Sequence, residues 1–364
     1  MNSNPLRILI VDDSRIFRST LEKALKEHPG VRVVGSVWSG EKAVEFVRDS
    51  PPDLVSLDLN MPGRNGLDTL SDIRELNASR PDRPPVGVLL VSALTDRGAA
   101  ITVEGLARGA FDFIRKPEGP DDQANARSLQ QQLFEKIDLF EKRRMRWGRV
   151  AALPHKPIAA RPPVRVGRYR AVAIGCSTGG PEALATLLPD LTRRTSVPLF
   201  IVQHFPPGSM TRYFADSLGK KCAHRVVEAT DGELVEPLSA YVAPGGRHMV
   251  LRKQSGRVLI ALNDLPSENG CRPSVDVLFR SVAEVYPRSA IAIVLTGMGN
   301  DGAKGLGPLK RGGAYVIAQD EATSIVWGMP GAAVATGQVD EVLALENIGS
   351  TVAALLEART SPCN

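Results

Sequence analysis

The chain has 364 residues, of which 43% are hydrophobic and 23% charged, and a formal net charge of +5 at pH 7. That length suits two domains and a connector better than a single core, and the composition excludes a fibrous, low-complexity or largely disordered chain. The positive charge does not point to nucleic acid: ten Lys or Arg stand against one Glu between Glu141 and Arg170, a local excess of nine that leaves the remainder at −4.

A basic stretch confined to a connector is a solvated segment, or at most a docking site for an acidic partner. The N-terminus offers only the short apolar run Ile8–Val11 before Asp12 and Asp13, so no secretory leader is legible, and no run approaches the roughly 18 apolar residues that span a bilayer. The four cysteines, Cys176, Cys222, Cys271 and Cys363, lack CxxC spacing, which predicts neither a zinc site nor a disulfide framework. The expectation is a cytoplasmic protein with no nucleic-acid partner and no membrane insertion.

From Arg7 to about Gly119 short β-branched runs alternate with amphipathic stretches, the pattern of βαβ units and a parallel sheet. Strands are predicted at Arg7–Val11, Arg32–Ser36, Leu54–Leu57, Val86–Val91 and Phe111–Ile114. Residues 121–146 read as a charged helix with Leu133, Ile137 and Phe140 on one side, after which Pro154, Pro157, Pro162 and Pro163 forbid regular structure. A second alternating series predicts strands at Ala171–Gly175, Leu199–Gln203, Ala240–Val242, Val258–Ala261, Ala290–Thr296 and Ala314–Ala318, with a hairpin around Gly256. The fold class is α/β, with two doubly wound parallel-sheet domains, the second Rossmann-like, joined by a basic Pro-rich linker. The predicted boundaries are 1–122, 123–167 for helix and linker, and 168–358.

Open parallel sheets gather ligands beyond the carboxyl ends of their strands. In the first domain those positions hold Asp12 and Asp13, Asp58, Ser92, and Lys116 followed by Pro117. Carboxylates clustered in this way repel one another unless a hard cation such as Mg²⁺ joins them, and that cation also attracts a phosphoryl group. A single Asp in this setting is an ordinary helix cap, but the whole set is not. The segments Ile8-Leu9-Ile10-Val11-Asp12-Asp13-Ser14, Leu57-Asp58-Leu59-Asn60-Met61-Pro62-Gly63, Val91-Ser92-Ala93 and Lys116-Pro117 resemble a two-component receiver domain. The resemblance implies that Asp58 accepts a phosphoryl group from a sensor histidine kinase. It also implies that Asp13 and Asp58 hold Mg²⁺ with the Asn60 carbonyl while Asp12 acts through water, that Ser92 is the hydroxyl switch, and that Lys116 contacts the phosphoryl group.

In the second domain Gly175-Cys176-Ser177-Thr178-Gly179 matches G-x-S-x-G at a strand-to-helix corner, where a hydroxyl projects clear of the backbone and helix amides can stabilise an oxyanion. Alone the motif is equally a phosphate-binding loop. It gains meaning because His204 follows the next predicted strand and Asp301 follows a third, in Thr296-Gly297-Met298-Gly299-Asn300-Asp301-Gly302. Ser177 as nucleophile, His204 as base and Asp301 as its orienting acid meet the needs of acyl transfer. The order Ser, His, Asp differs from that of the α/β-hydrolase fold. His248, after a Pro-Gly-Gly-Arg loop, is a candidate cleft residue. His224, Cys176, Asp264 and Asp276 are weaker competitors.

Together Ile174-Gly175-Cys176-Ser177-Thr178-Gly179-Gly180-Pro181, Val202-Gln203-His204, Ala243-Pro244-Gly245-Gly246 and Leu295 through Gly302 resemble the catalytic domain of the chemotaxis protein-glutamate methylesterases, which are also protein-glutamine glutaminases. The resemblance implies demethylation of glutamate γ-methyl esters on chemoreceptors with release of methanol, deamidation of glutamines through the same acyl-enzyme, and no cofactor for hydrolysis. It further implies that the unphosphorylated receiver covers the cleft and that phosphorylation frees it. Thr178 and Met298 are the candidate oxyanion donors through their amides. A receiver with a non-catalytic, ligand- or partner-binding output is the alternative, and such a module has no need of Ser177, His204 and Asp301 at neighbouring strand ends.

Overall fold

The computed structural model describes residues 5–93, 95–117, 120–146 and 169–357; the predicted Pro-rich linker from residue 147 onward, with Pro154, Pro157, Pro162 and Pro163, lies outside them. The chain divides into two compact units, Met1–Ala151 and Ala152–Asn364.

The first unit alternates β1 (Leu6–Val11), α1 (Arg15–Lys26), β2 (Val31–Val37), α2 (Gly40–Asp49), β3 (Leu54–Asp58), α3 (Gly66–Ala78), β4 (Gly87–Ser92), α4 (Asp96–Ala107), β5 (Asp112–Arg115) and α5 (Asp122–Arg146). Ser14, Ser39, Asn65 and Thr95 start the first four helices, each accepting a hydrogen bond from the amide three residues on, which satisfies a donor the helix itself cannot. The sheet order is β2-β1-β3-β4-β5 with every neighbouring pair parallel. The strand order therefore reverses between β1 and β3, and a crevice opens at their carboxyl ends. Leu129, Leu133, Ile137 and Phe140 of α5 are buried, and the Phe140 ring meets Phe111 edge-on at 5.2 Å.

The second unit runs β6 (Ala171–Cys176), α6 (Gly180–Arg194), β7 (Leu199–Gln203), α7 (Met210–Gly219), β8 (Arg225–Glu228), β9 (Ser239–Val242), β10 (His248–Gln254), β11 (Arg257–Asn263), α8 (Val275–Val285), β12 (Ala290–Val294), α9 (Leu306–Arg311), β13 (Tyr315–Gln319), α10 (Met329–Ala335), β14 (Glu341–Leu343) and α11 (Leu345–Glu357). Its main sheet has seven strands in the order β14-β13-β12-β6-β7-β9-β8, all parallel. β6, β7 and β12 are buried along their whole length, because helices cover both faces of a parallel sheet. The order here reverses between β6 and β12.

The structure corrects one predicted strand. Val258–Ala261 belongs not to the parallel sheet but to a separate antiparallel hairpin of β10 and β11. Its tip is where the sequence places it: Ser255 and Gly256 both have positive φ, +50° and +78°, the two-residue geometry that matches strand twist. The hairpin lies on α8, with the Leu251 amide donating to Ser281 Oγ at 3.1 Å. β8 and β14, short strands at the two edges, have no counterpart in the sequence reading. Among the described residues no helix is long and apolar enough to cross a membrane.

Gly175, in the strand that leads to the second site, lies directly on α8: a Cβ built there would stand 2.3 Å from Val275 Cγ1. Gly175→Ala is therefore expected to destabilise the protein by about 1–3 kcal/mol, the usual cost of overpacking, and to lower the urea midpoint. An unchanged midpoint would refute the contact.

Candidate functional site

Each unit brings its chemistry to the edge where its strand order reverses. In the first, Asp12 follows β1, Asp58 ends β3 and Lys116 follows β5. Lys116 Nζ bridges the two buried carboxylates, 2.8 Å from Asp12 Oδ2 and 2.9 Å from Asp58 Oδ2, and stands 4.7 Å over the Phe17 ring. Burial alone would pull the Lys116 ammonium down, but the two carboxylates outweigh it and hold it above its ordinary value. Burial, assisted by the neighbouring Asp58 charge, raises Asp12 despite the Lys116 contact. Asp12, Asp13 and Asp58 offer oxygens within 4.8 Å of one another, a donor set of oxygen alone that fits a hard cation such as Mg²⁺. Ser92 is buried, and its hydroxyl donates to Ala93 O at 3.1 Å; in this state it is turned to the backbone rather than to Asp58.

In the second unit Ser177 follows β6, His204 follows the adjacent β7, and Asp301 lies in the loop after β12 on the other side of β6. The ladder sets their spacing. The Ser177 amide donates to Thr296 O at 3.0 Å and the His204 amide to Cys176 O at 3.1 Å. Buried Gln203 ties the two segments together, its Nε2 donating to Ser177 O and to His204 O, each at 3.1 Å. Gly297 passes so close that a Cβ there would lie 2.8 Å from Ser177 Cβ, so glycine is required.

His204 Nε2 is 2.9 Å from Asp301 Oδ2. The Asp301 carboxylate also accepts from Ser274 Oγ at 2.8 Å, Val275 N at 2.7 Å, Asp276 N at 3.2 Å, Gly302 N at 3.1 Å and Asn269 Nδ2 at 3.0 Å. Two of these amides open α8, whose N-terminus favours negative charge. Burial would raise Asp301, yet the hydrogen bond and charge of His204 with these donors hold it down at about 2. For His204, burial opposes the charged ring, but the hydrogen bond to Asp301, with Cys271 adding, lifts it from 6.5 to about 9. Its other nitrogen, Nδ1, faces Cys271 Sγ at 3.6 Å. Among the described residues Ser177 Oγ makes no hydrogen bond. The arrangement supplies a hydroxyl at a strand end and a buried carboxylate that holds an imidazole.

Several sequence candidates take other places. Burial pushes the Cys176 thiol far up; its Sγ turns inward to Gln203 Oε1 at 3.2 Å, so it is no nucleophile. His248 does not line a cleft: it is buried, with Nδ1 accepting from Ser274 N at 3.2 Å and Nε2 on Pro266 O at 3.1 Å. It clamps the loop that leads into α8. His224 bonds Val197 O, and Asp264 pairs with Arg247 at the surface. Asp276, ranked low by sequence, sits beside the site, since Asn269 Nδ2 reaches both Asp276 Oδ2 at 2.8 Å and Asp301 Oδ1. Sequence reasoning missed Asn269, Cys271, Ser274 and the role of Gln203. One signal was present. Asn269-Gly270 is the strongest two-residue turn pair, and both residues have positive φ between the bridged Glu268 and Cys271.

Fold and sites together define a class: a response regulator whose output unit is an enzyme. Residues 8–128 match the family described as response regulator receiver domain, and residues 172–352 match CheB methylesterase. The protein-glutamate methylesterase/protein-glutamine glutaminase of Desulfotalea psychrophila is 39% identical over 361 residues, covering 95% of this chain and 97% of that one. The protein of the same name from Pectobacterium atrosepticum is 41% identical over 354 residues, covering 97% of each. The one from Pyrococcus abyssi is 39% identical over 365 residues, 98% of this chain and 95% of that one. The chain belongs to the CheB methylesterase family.

The raised His204 pKa carries a stability consequence of definite sign. The contribution of the His204–Asp301 pair is fully present between the unfolded aspartate value of 3.8 and the unfolded histidine value of 6.5; it is lost as pH rises through about 9 and, at the acid end, as pH falls through about 2. Replacing Asp301 removes the partner, so in Asp301→Asn the His204 imidazole, followed by NMR, is expected to titrate well below the wild-type ring. Coincident titration curves would refute the pairing.

Proposed function

We propose that the chain is a phosphorylation-activated hydrolase that demethylates glutamate γ-methyl esters and deamidates glutamines on chemoreceptors, with residues 1–122 as the receiver, 168–358 as the catalytic domain and 123–167 as the helix and linker between them. The observation that carries this reading is the set of three strand ends at one sheet reversal, bearing Ser177, His204 and an Asp301 held down by its donors. Ser177 Oγ attacks the ester carbonyl. Because Nε2 is committed to Asp301, the Ser177 proton passes to Nδ1 of the neutral His204 ring, the form favoured as pH rises through about 9, and Nδ1 exchanges its Cys271 contact for the serine as substrate seats; such bonds are commonly loose before substrate binds. His204 then returns the proton to the leaving methoxide, which departs as methanol, or to the amide nitrogen of a glutamine, which departs as ammonia. Water enters by the same base and releases glutamate. The oxyanion is assigned to the amides of Met298 and Thr178. Met298 has no hydrogen bond among the described residues and follows Gly297 at the nucleophile.

In the receiver, Asp58 is the proposed phosphoryl acceptor from a sensor histidine kinase. Asp12, Asp13 and Asp58 are the residues to hold Mg²⁺, whose charge would offset that of the incoming group. Lys116, already on Asp58, is placed to follow the phosphoryl oxygens, and Ser92 to turn toward them. The protein is expected to work in the cytoplasm, without nucleic acid and without a cofactor for hydrolysis.

Methanol release from methylated receptor tests both halves. Ser177→Ala is expected to lose about three orders of magnitude or more in kcat while Asp58 still takes up label from a phosphodonor. Asp58→Asn is expected to keep basal hydrolysis and lose its stimulation. Wild-type activity in Ser177→Ala would sink the nucleophile assignment, and phosphodonor stimulation surviving in Asp58→Asn would sink the acceptor.

A further inference from the structure

The turn that carries Asn269 also brings a thiol to the proposed base. Cys271 Sγ stands 3.6 Å from His204 Nδ1, and His204, Cys271 and Asp301 each offer a ligand atom within 4.8 Å of the others. These residues come from three separate segments: the end of β7, the turn at 268–271 and the loop after β12. Imidazole nitrogen and thiolate sulfur are donors that suit Zn²⁺ and its borderline-soft relatives, whereas Mg²⁺ takes oxygen. The receiver pocket, with three carboxylates, is of the second kind.

The surroundings are those of a built site. The turn is closed by paired backbone bonds, Glu268 N to Cys271 O at 3.1 Å and Cys271 N to Glu268 O at 2.9 Å, and Arg280 holds Glu268 through two contacts at 2.8 and 2.5 Å. Cys271 is thus positioned by a locked turn. Asp301 Oδ1 is already occupied by Ser274, Asn269 and Gly302 while Oδ2 faces His204. A carboxylate on the far nitrogen of a ligating histidine is what fixes such a ligand in place. The His204 side chain is 13% exposed, so the pair is not sealed from solvent. Tetrahedral bonds of about 2.0–2.3 Å put ligand atoms about 3.3–3.7 Å apart, and Cys271 Sγ at 3.6 Å from His204 Nδ1 already has that spacing.

We propose that His204 Nδ1 and Cys271 Sγ, with Asp301 holding the far nitrogen of the ring, form an inhibitory site for a thiophilic divalent cation of the Zn²⁺ class. On binding, Cys271 gives up its thiol proton to solvent, Nδ1 of His204 donates its lone pair to the ion, Asp301 stays on Nε2, and water completes the coordination. With that lone pair committed, His204 takes no proton from Ser177 and hydrolysis stops; withdrawal of the ion restores it. The inhibitory part rests on His204 being the base, whereas the binding part does not.

The test uses the full-length chain and Co²⁺ as a spectroscopic stand-in. Co²⁺ is expected to give a near-ultraviolet thiolate-to-metal band that persists in excess Mg²⁺ and is bleached by Zn²⁺. Removing one ligand is expected to weaken the site by about 100-fold or more, so the band is lost in Cys271→Ser and kept in Cys222→Ser. Zn²⁺ is expected to bring basal methanol release, measured without Mg²⁺ or phosphodonor, below about a tenth of its starting value, as loss of a general base demands; a chelator restores it. A band with this dependence on Cys271, in a protein that hydrolyses no ester under any condition, supports the cation site and sinks the esterase reading. No band, a band that survives Cys271→Ser, or hydrolysis intact in saturating Zn²⁺ overturns the inhibitory site and leaves the esterase reading standing.

Discussion

A carboxylate removed from water costs several kcal/mol unless its oxygens find donors, and Asp301, 2% exposed, meets that demand from several directions. Ser274 serves twice: its hydroxyl caps α8 by accepting from Val277 N and donates to Asp301. Asn269 docks its turn by reaching Asp276 and Asp301 at once. His248 fixes the backbone of Ser274 from behind. The start of α8, the turn at 268–271 and the orientation of His204 are therefore arranged around one negative charge. The exposed loops nearby inherit their positions from it.

The two units use the same topological device for opposite electrostatic ends. Each places its polar residues where strand order reverses, beyond β1 and β3 in one and beyond β6 and β12 in the other. In the first, acidic side chains are left with one ammonium among them, a pocket whose unbalanced charge calls for a cation. In the second, a single carboxylate is surrounded by neutral donors and one imidazole, so its charge is spent on orienting that ring. An excess of charge suits a site that must capture; a satisfied charge suits one that must aim.

Much of this was legible in the sequence because parallel sheets advertise themselves. Runs such as Ala290–Val294 are apolar throughout, and the polar residue after each run marks the ligand edge, so Asp58, Lys116, Ser177, His204 and Asp301 were all visible. The hairpin at Ser255-Gly256 was visible as a turn, but alternation in Val258–Ala261 does not reveal which sheet a strand joins. β8 and β14 are too short for periodicity to register. His248 read as a cleft residue because a Gly-rich loop precedes it, and burial is not written in such a loop. The supporting layer of Asn269, Ser274 and Gln203 escaped for a general reason: its members act by hydrogen bonds across sequence gaps of 26 to 32 residues, which no local pattern encodes.

Gly297 lies so near Ser177 that no side chain fits between them, while the next residue, Met298, is 41% exposed. The packing beside Ser177 is therefore frozen: any atom added at 297 would push Ser177 off its strand end. The rim one residue away has no such restriction. A lineage that needs this hydrolase to accept a differently shaped substrate has room to vary at Met298, and recognition can drift there while the geometry around Ser177 stays fixed.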